Sequence, residues 1–386
     1  MKILFYCQHV WGVGHYFRSM EICRGLHRHE VVMAIGGPPF DAPVPSNVRI
    51  ERLPPMAMGD DYATLQSDDA LRPIEEVKAA RRARLHQLYC ETQADVLLIE
   101  LYPFGRRKFK FELVPLLEGI RSGAVPPAKV VCSLRDILVS KQDAAGYEAD
   151  VVQKLNDYFD ALLVHADRQL ITLDQTFGST AAIAIPLVYT GFVVQSPPTE
   201  AAVQIRRQLQ LANGEQLVVV SAGGGRSGAP LLEAVLMAFQ WDTLRRNRRV
   251  FLFTGPFIDP DDADRLAAIK PPGVTISTFS DDFLALLSAA DLSISMGGYN
   301  TSMNILATGV PALVWPYPGD QEQGLRTGRL SDKGLLKVLT EADFPPDRMV
   351  PIIEQALRSP GRAAGSIAMD GAPQTARFIE SMLASD

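Results

Sequence analysis

Cysteine is scarce in this 386-residue sequence: Cys7, Cys23, Cys90 and Cys132 are scattered, and no two of them form a CxxC pair. That spacing argues against a disulfide framework or a thiolate metal site and suits reduced thiols in the cytoplasm. A long basic block is also missing, and the net charge is −6. The sequence therefore lacks the electrostatic footprint that duplex nucleic acid requires, and no nucleic-acid partner is expected. No apolar run approaches the roughly 20 residues needed to span a membrane, so no integral membrane segment is expected. From Met1 the chain enters a short apolar strand and a glycine loop, without the charged region and long apolar stretch of a leader peptide.

Apolar material is plentiful: hydrophobic residues make up 47% of the chain and charged residues 21%. At this length that composition fits two packed α/β cores. Short runs rich in Val, Ile and Leu alternate with helix-length segments at residues 3–6, 31–35, 96–99, 130–132 and 162–164, and again at 217–220, 250–253, 274–277, 292–294 and 312–314. Continuous apolar runs of this kind predict parallel strands covered on both faces, so two doubly wound sheets are expected in tandem. Gly191, Pro197 and Pro198 punctuate the stretch between the series and place a boundary there, giving domains 1–191 and 192–386. Residues 53–73 read as a long loop, and residues 375–383 as a final helix that could pack on either domain.

Two glycine-rich turns follow first strands. Gly12-Val13-Gly14-His15 leads into a helical segment, and Gly223-Gly224-Gly225-Arg226-Ser227-Gly228 leads into another. Glycines allow a tight turn, and the helix start behind them offers free amides to anions. The first turn lacks GxGxxG spacing, and no acidic residue closes the second strand, which weighs against dinucleotide binding. The second turn lacks the Lys-Ser/Thr ending of a P-loop. It reads either as a tight strand-to-helix connection or as a metal-free diphosphate site, and three glycines beside an arginine favour the latter.

Phe279-Ser280-Asp281-Asp282-Phe283, Ala290-Asp291, Gly297-Gly298-Tyr299-Asn300-Thr301, Gly309-Val310-Pro311, Pro316 and Glu322-Gln323 occur in an order and spacing that resemble the donor half of MurG-type, family 28 glycosyltransferases. FYCQHVWGVGH at the N-terminus and residues 101–107 look nearest a group of predicted bacterial glycosyltransferases. The resemblance implies the α/β GT-B architecture, in which two Rossmann-like domains face each other across a cleft. It also implies an acceptor site in the first domain and a nucleotide-sugar site in the second, filled by a UDP-sugar or a dTDP-sugar.

Carried over by position, Phe279, Ser280 and Phe283 would hold the base. Gly223, Gly224, Gly225, Arg226 and Ser227 would face the diphosphate, joined by Gly297, Gly298, Asn300, Thr301 and Ser302 at a helix start. Glu322 and Gln323 would hold sugar hydroxyls. Asn304 stands where the family commonly has a ribose-binding glutamate, and an asparagine there gives up the charge-assisted bond.

Inverting transfer needs a base for the acceptor proton. His15 is the candidate, placed where strand ends of an open sheet meet a crevice. The resemblance implies a partner acid at the end of a later strand, a position that Glu100 fills in closing residues 96–99, although Glu100 reads equally as a plain strand-end residue. A lone histidine more often has a structural role; the shared placement favours catalysis. Gly12, Gly14, Arg18, Arg106 and Arg135 are candidate acceptor contacts. The cluster Arg106-Arg107-Lys108-Phe109-Lys110 reads equally as a site for an anionic acceptor and as a solvated loop.

Asp259-Pro260-Asp261-Asp262 contains Asp-x-Asp spacing but has the form of a helix start, so no metal and no cofactor are expected. The expected partner is a small-molecule acceptor, with the chain a monomer or homodimer. A nucleotide-sugar hydrolase and a silent nucleotide-sugar-binding protein remain the alternative functions.

Overall fold

The computed structural model describes residues 1–8, 14–37, 43–58, 64–67, 72–139, 143–361, 365 and 367–384. The chain divides into two compact units, Met1–Val193 with Ala368–Asp386, and Val194–Ile367. The division falls just past the boundary at 191 read from the sequence, after Val193, and the chain's last segment belongs to the first unit rather than the second.

The first unit is built on strands β1 (Lys2–Tyr6), β2 (Glu30–Ile35), β3 (Val48–Arg52), β4 (Met56–Met58), β5 (Leu65–Ser67), β6 (Val96–Glu100), β7 (Lys129–Arg135), β8 (Ala161–His165) and β9 (Leu187–Tyr189). Seven of these form one sheet in the order β3-β2-β1-β6-β7-β8-β9, with every neighbouring pair parallel. The strand β4 pairs antiparallel with β5, so residues 53–73 are not a plain loop as expected. Each of those strands has three residues, too few to establish a sequence period.

The second unit carries β10 (Gln216–Ser221), β11 (Arg248–Phe253), β12 (Val274–Ser277), β13 (Leu292–Met296), β14 (Ala312–Trp315) and β15 (Lys337–Val338) in the order β12-β11-β10-β13-β14-β15, again all parallel.

Both sheets reverse their winding beside their first strand, between β1 and β6 and between β10 and β13. Helices cross to opposite faces at such a reversal, leaving a crevice at the carboxyl ends of the strands. Residues that follow β1, β6, β10 and β13 are thereby delivered to crevices by topology alone.

Central strands are apolar on both faces. In β6 all of Val96–Glu100 is buried, and alternate residues of β1 serve opposite sides of the sheet, with Ile3 and Phe5 joining the cluster that includes Met20, Ile22 and Val31. The last helix, Gly371–Ala384, adds Ala372, Ala376 and Ile379 to that cluster. These three positions recur at helical spacing and form a buried stripe, with Phe378, Met382 and Leu383 packed beside it. Small residues let this helix approach closely: a Cβ placed on Gly25 would lie 2.6 Å from the backbone of Ala372. The second core brings Val218, Val220, Leu252 and Ile294 together with Leu231, Leu232 and Val235 from the helix Ala229–Ala238. Each such side chain contributes about 1.5–3 kcal/mol when fully buried.

Asp259 caps the helix Pro260–Ala268, its side chain accepting from the Asp261 amide at 2.9 Å. The Asp-Pro-Asp-Asp run thus starts a helix. Among the described residues no group of three or more His, Cys, Asp or Glu is placed to hold a metal ion. Nor is any described helix long and apolar enough to cross a membrane.

Candidate active site

The helix Gly14–Gly25 begins at Gly14, immediately before His15. Gly12 lies outside the described residues. Because β1 and β6 are hydrogen-bonded neighbours, with Tyr6 in register with Ile99, the residues beyond their ends converge. His15 Nδ1 lies 2.6 Å from Glu100 Oε1. Arg18, three residues further along the helix, donates from Nη2 to the same oxygen at 2.5 Å. Arg106 completes the group, with Nε 3.8 Å from Glu100 Oε2.

Glu100 is fully buried, and Arg18 nearly so, while the His15 side chain is 18% exposed. Burial alone would push the Glu100 carboxyl upward, but His15, Arg18 and Arg106 hold it well below the usual carboxylate range. Burial pushes the His15 imidazole down to about 4; the adjoining Glu100 opposes that shift, and Arg106 and Arg18 reinforce it. At neutral pH the cluster therefore pairs a carboxylate with a neutral imidazole. A carboxylate can only accept, so His15 carries its proton on Nδ1, donates it to Glu100, and keeps its lone pair on Nε2. This is the tautomer a general base needs.

Arg135 closes β7 opposite His165 and is half-buried. His165 is buried in its own hydrogen-bonded chain, with Nε2 2.7 Å from Ser133 Oγ and Nδ1 2.8 Å from Thr190 Oγ1. Burial pushes this imidazole down to about 3. Sequence reasoning missed that chain, since a Ser and a His on two strands and a Thr just past a third carry no shared motif.

A second buried assembly escaped the sequence as well. Arg81 donates to both oxygens of Glu112, at 2.8 and 2.7 Å, and to Gln8 Oε1 at 2.8 Å. The Tyr6 hydroxyl donates to Glu112 Oε1 at 2.5 Å. Burial and the adjoining Glu112 carboxylate raise the Tyr6 hydroxyl well above its ordinary value, so it stays protonated. Arg81 sits in the sequence KAARRARLHQ, which reads as a solvated basic helix face; nothing local distinguishes it from Arg82 or Arg84.

In the second unit, β10 runs into a loop where Gly223 and Gly225 have φ of +63° and +98°. Gly255, which follows β11 at φ +85°, packs directly on that loop: a Cβ there would lie 2.4 Å from Gly223 O and 2.6 Å from Gly225 N. The Phe257 amide donates to Gly224 O at 2.9 Å, and the Arg226 guanidinium lies 5.4 Å above the Phe257 ring. Gly223 and Gly224 stay exposed on this support. Gly255→Ala is expected to destabilise the second unit by about 1–3 kcal/mol, because a methyl group would meet backbone atoms that cannot rotate away. A lower denaturant midpoint with an unchanged m-value would register that loss.

Beyond β13, Gly297 and Gly298 lead into the helix Tyr299–Thr308, which has no side-chain cap. A Cβ on Gly297 would lie 2.8 Å from Thr327 Cγ2, so a side chain there would crowd the helix Gln321–Asp332. Asn300 is exposed, Thr301 and Asn304 are half-buried and Ser302 is buried. Phe279 is 65% exposed, an unusual position for a phenylalanine, whereas Phe283 packs edge-on to Phe253 with ring centroids 5.6 Å apart. Ser280 Oγ accepts from the Asp282 amide at 3.2 Å.

Glu322 and Gln323 open the helix Gln321–Asp332, where both already have protein partners. Glu322 Oε1 accepts from Arg326 Nη2 at 2.6 Å, and the Arg326 guanidinium lies 5.0 Å from the centre of the Tyr299 ring. Gln323 accepts from the Tyr317 amide at 3.2 Å and donates to Asp320, the helix cap, at 2.9 Å. Arg326 was not singled out as a site residue from the sequence, although its i,i+4 spacing from Glu322 marks the pair.

Residues 218–378 match the glycosyltransferase family 28 C-terminal domain. The UDP-N-acetylglucosamine–N-acetylmuramyl-(pentapeptide) pyrophosphoryl-undecaprenol N-acetylglucosamine transferase of Sinorhizobium fredii is 28% identical over 213 residues, covering 53% of this chain and 56% of that protein. The chain thus spans about half the length of the curated relatives it matches. Among solved structures, Acinetobacter baumannii MurG superposes with a TM-score of 0.58 at 15% identity, covering 99% of this chain and all (100%) of the other. The spinosyn rhamnosyltransferase SpnG complexed with thymidine diphosphate gives 0.57 at 14% identity, covering 99% and 100%. The fold is the GT-B glycosyltransferase fold, with two Rossmann-like domains. Within that class, residues 218–378 are similar to the family 28 C-terminal domain, and about half of the chain is similar to the curated N-acetylglucosamine transferases.

Proposed function

We propose that the protein is an inverting glycosyltransferase that moves a sugar from a nucleoside-diphosphate sugar to a hydroxyl of a small-molecule acceptor. The observation that carries this reading is the His15–Glu100 pair at 2.6 Å, set at the topological reversal of the first sheet. It supplies a neutral, correctly tautomerised base where the acceptor hydroxyl would lie.

In the proposed reaction, His15 Nε2 takes the hydroxyl proton as the acceptor oxygen attacks the anomeric carbon from the face opposite the nucleotide. The new C–O bond forms as the bond from the anomeric carbon to the diphosphate oxygen breaks. The nucleoside diphosphate leaves with that electron pair, and the proton stays on His15 as an imidazolium beside the Glu100 carboxylate. The Gly223–Gly225 loop and the start of the helix Tyr299–Thr308 offer amides and hydroxyls to the leaving diphosphate, a stabilisation that needs no metal in this reading.

A UDP-sugar is the first choice of donor, because the curated relatives are named for UDP-N-acetylglucosamine. A dTDP-sugar is second, by comparison with the thymidine diphosphate complex of SpnG. Incubation with UDP- and dTDP-sugars, with and without a panel of hydroxyl acceptors, tests the proposal. The expected result is slow nucleotide release alone and rapid release, with a glycosylated product, when the right acceptor is present. Rapid and complete hydrolysis without acceptor would overturn transfer in favour of a hydrolase. Nucleotide binding without turnover across the panel would make the protein a binder.

A further inference from the structure

The arginines around Glu100 are not equivalent. Arg18 spends its charge on Glu100 Oε1 at 2.5 Å. Arg106 faces the other oxygen from 3.8 Å, too far for a hydrogen bond, and its Nε and Nη2 are buried with no hydrogen-bond partner. Glu100 Oε2 is likewise buried without one.

Charge points the same way. Arg106 shares the single Glu100 carboxylate with Arg18, and its own unpartnered nitrogens are shielded from water. Buried cations of this kind are ordinarily paired.

The neighbouring Arg107 is otherwise engaged. Arg107 turns to Asp150 at 2.9 Å and stacks over Tyr147 with its guanidinium 5.4 Å from the ring centre. Of the two adjacent arginines, Arg106 alone approaches Glu100; its side chain is 12% exposed, through atoms other than the buried Nε and Nη2. It does so from a backbone conformation that non-glycine residues seldom adopt: Arg106 has φ +56°, and Leu101, where the loop leaves β6, has φ +68°. A strained backbone that aims an under-partnered cation at the catalytic pair is the kind of outlier that marks a binding site.

We infer that the acceptor carries an oxyanion, a carboxylate or a phosphate, near the hydroxyl that receives the sugar, and that Arg106 binds it. The inference rests on the transferase reading for the word acceptor; the anion site itself stands on the geometry. A planar guanidinium with two buried, unpartnered donors, Nε and Nη2, fits two oxygens of one anionic group that enters beside Glu100, which would hold the acceptor in register with His15 Nε2.

The test uses the full chain with its arginine side chains labelled with nitrogen-15 and UDP added to occupy the donor site. It is titrated with inorganic phosphate, with acetate and with neutral acetamide. One arginine Nε resonance, missing from both Arg106→Gln and Arg106→Lys, is expected to move with at least one oxyanion and not with acetamide. In calorimetry, Arg106→Gln is expected to weaken oxyanion binding at least about tenfold, and Arg106→Lys to weaken it less, since it retains the charge but not the fork. A response to phosphate alone or acetate alone identifies the class.

An equal response to acetamide, an unmoved Arg106 resonance, or undiminished oxyanion binding by Arg106→Gln would overturn the inference. If Arg106→Gln does not fold, the lysine variant still assigns the resonance and the wild-type titration decides. Should UDP fail to bind, the donor reading falls, and the same anion titration without UDP still decides for Arg106.

Discussion

Replacing His15 with alanine is expected to lower the transfer kcat by about 10²–10⁴-fold while leaving nucleotide affinity within a factor of about two, because the loss is that of a general base and not of a donor contact. The side chain sits in the first unit, whereas the residues assigned to the nucleotide lie in the second. Steady-state kinetics and nucleotide titration of the same variant separate the two effects. Glu100→Gln is expected to fall in the same range. The glutamine keeps the shape of the carboxylate but loses the charge that fixes the Nδ1–H tautomer.

The pH dependence follows from burial. With the imidazole held down to about 4, His15 is unprotonated throughout the neutral range, so kcat/KM stays flat from neutrality downward and falls only as pH approaches about 4. A fall centred near the ordinary histidine value of about 6.5 would contradict a buried base. Stability shares the sign: below about 6.5 the unfolded chain binds protons that native His15 and His165 do not, so stability declines as pH falls from there towards their native values.

Glu112→Ala is expected to destabilise the first unit by about 3–5 kcal/mol, the cost of leaving a buried guanidinium uncompensated. Arg81 and Glu112 side chains are both fully buried, and the substitution removes two of the Arg81 bonds together with the acceptor of the Tyr6 hydroxyl. Urea denaturation reads the change as a lower midpoint. Replacing Arg81 with methionine and Glu112 with leucine together should cost less than Glu112→Ala alone, since apolar groups of similar volume leave no unpaired charge. A double variant as unstable as the single one would show that the loss is one of packing and not of charge.

The fold was legible wherever strands are central. The runs at 96–99, 217–220 and 292–294 are apolar on both faces because both faces are covered, and each lies within an observed strand. Among the edge strands β12 was legible, its run at 274–277 matching the observed strand, whereas β3, β9 and β15 were not. In β3 the sequence VRIER mixes charge with apolar residues because the strand is only partly covered, and β9 and β15 have three and two residues. The antiparallel pair β4 and β5 was lost among prolines and acidic residues for the same reason of length.

At the candidate site, strand ends and glycine turns gave His15 and Glu100 their common place, since the topology carries them there. The roles of Arg18 and Arg106 around one carboxylate depend on side-chain reach across 82 residues in one case and on a left-handed backbone in the other, neither of which has a sequence period. Glu322 and Gln323 were legible as a pair, but their engagement with Arg326, Tyr317 and Asp320 was not.

The central claim is that the second unit binds a nucleoside diphosphate through its glycine loop and helix start, and isothermal titration of the full chain with UDP and dTDP tests it most directly. Saturable one-to-one binding of UDP, with dTDP weaker and with affinity reduced at least about tenfold by Gly224→Asp, which sets a negative charge on the proposed diphosphate surface, is the predicted result. Absence of binding by both nucleotides, or binding that Gly224→Asp leaves unchanged, would contradict it.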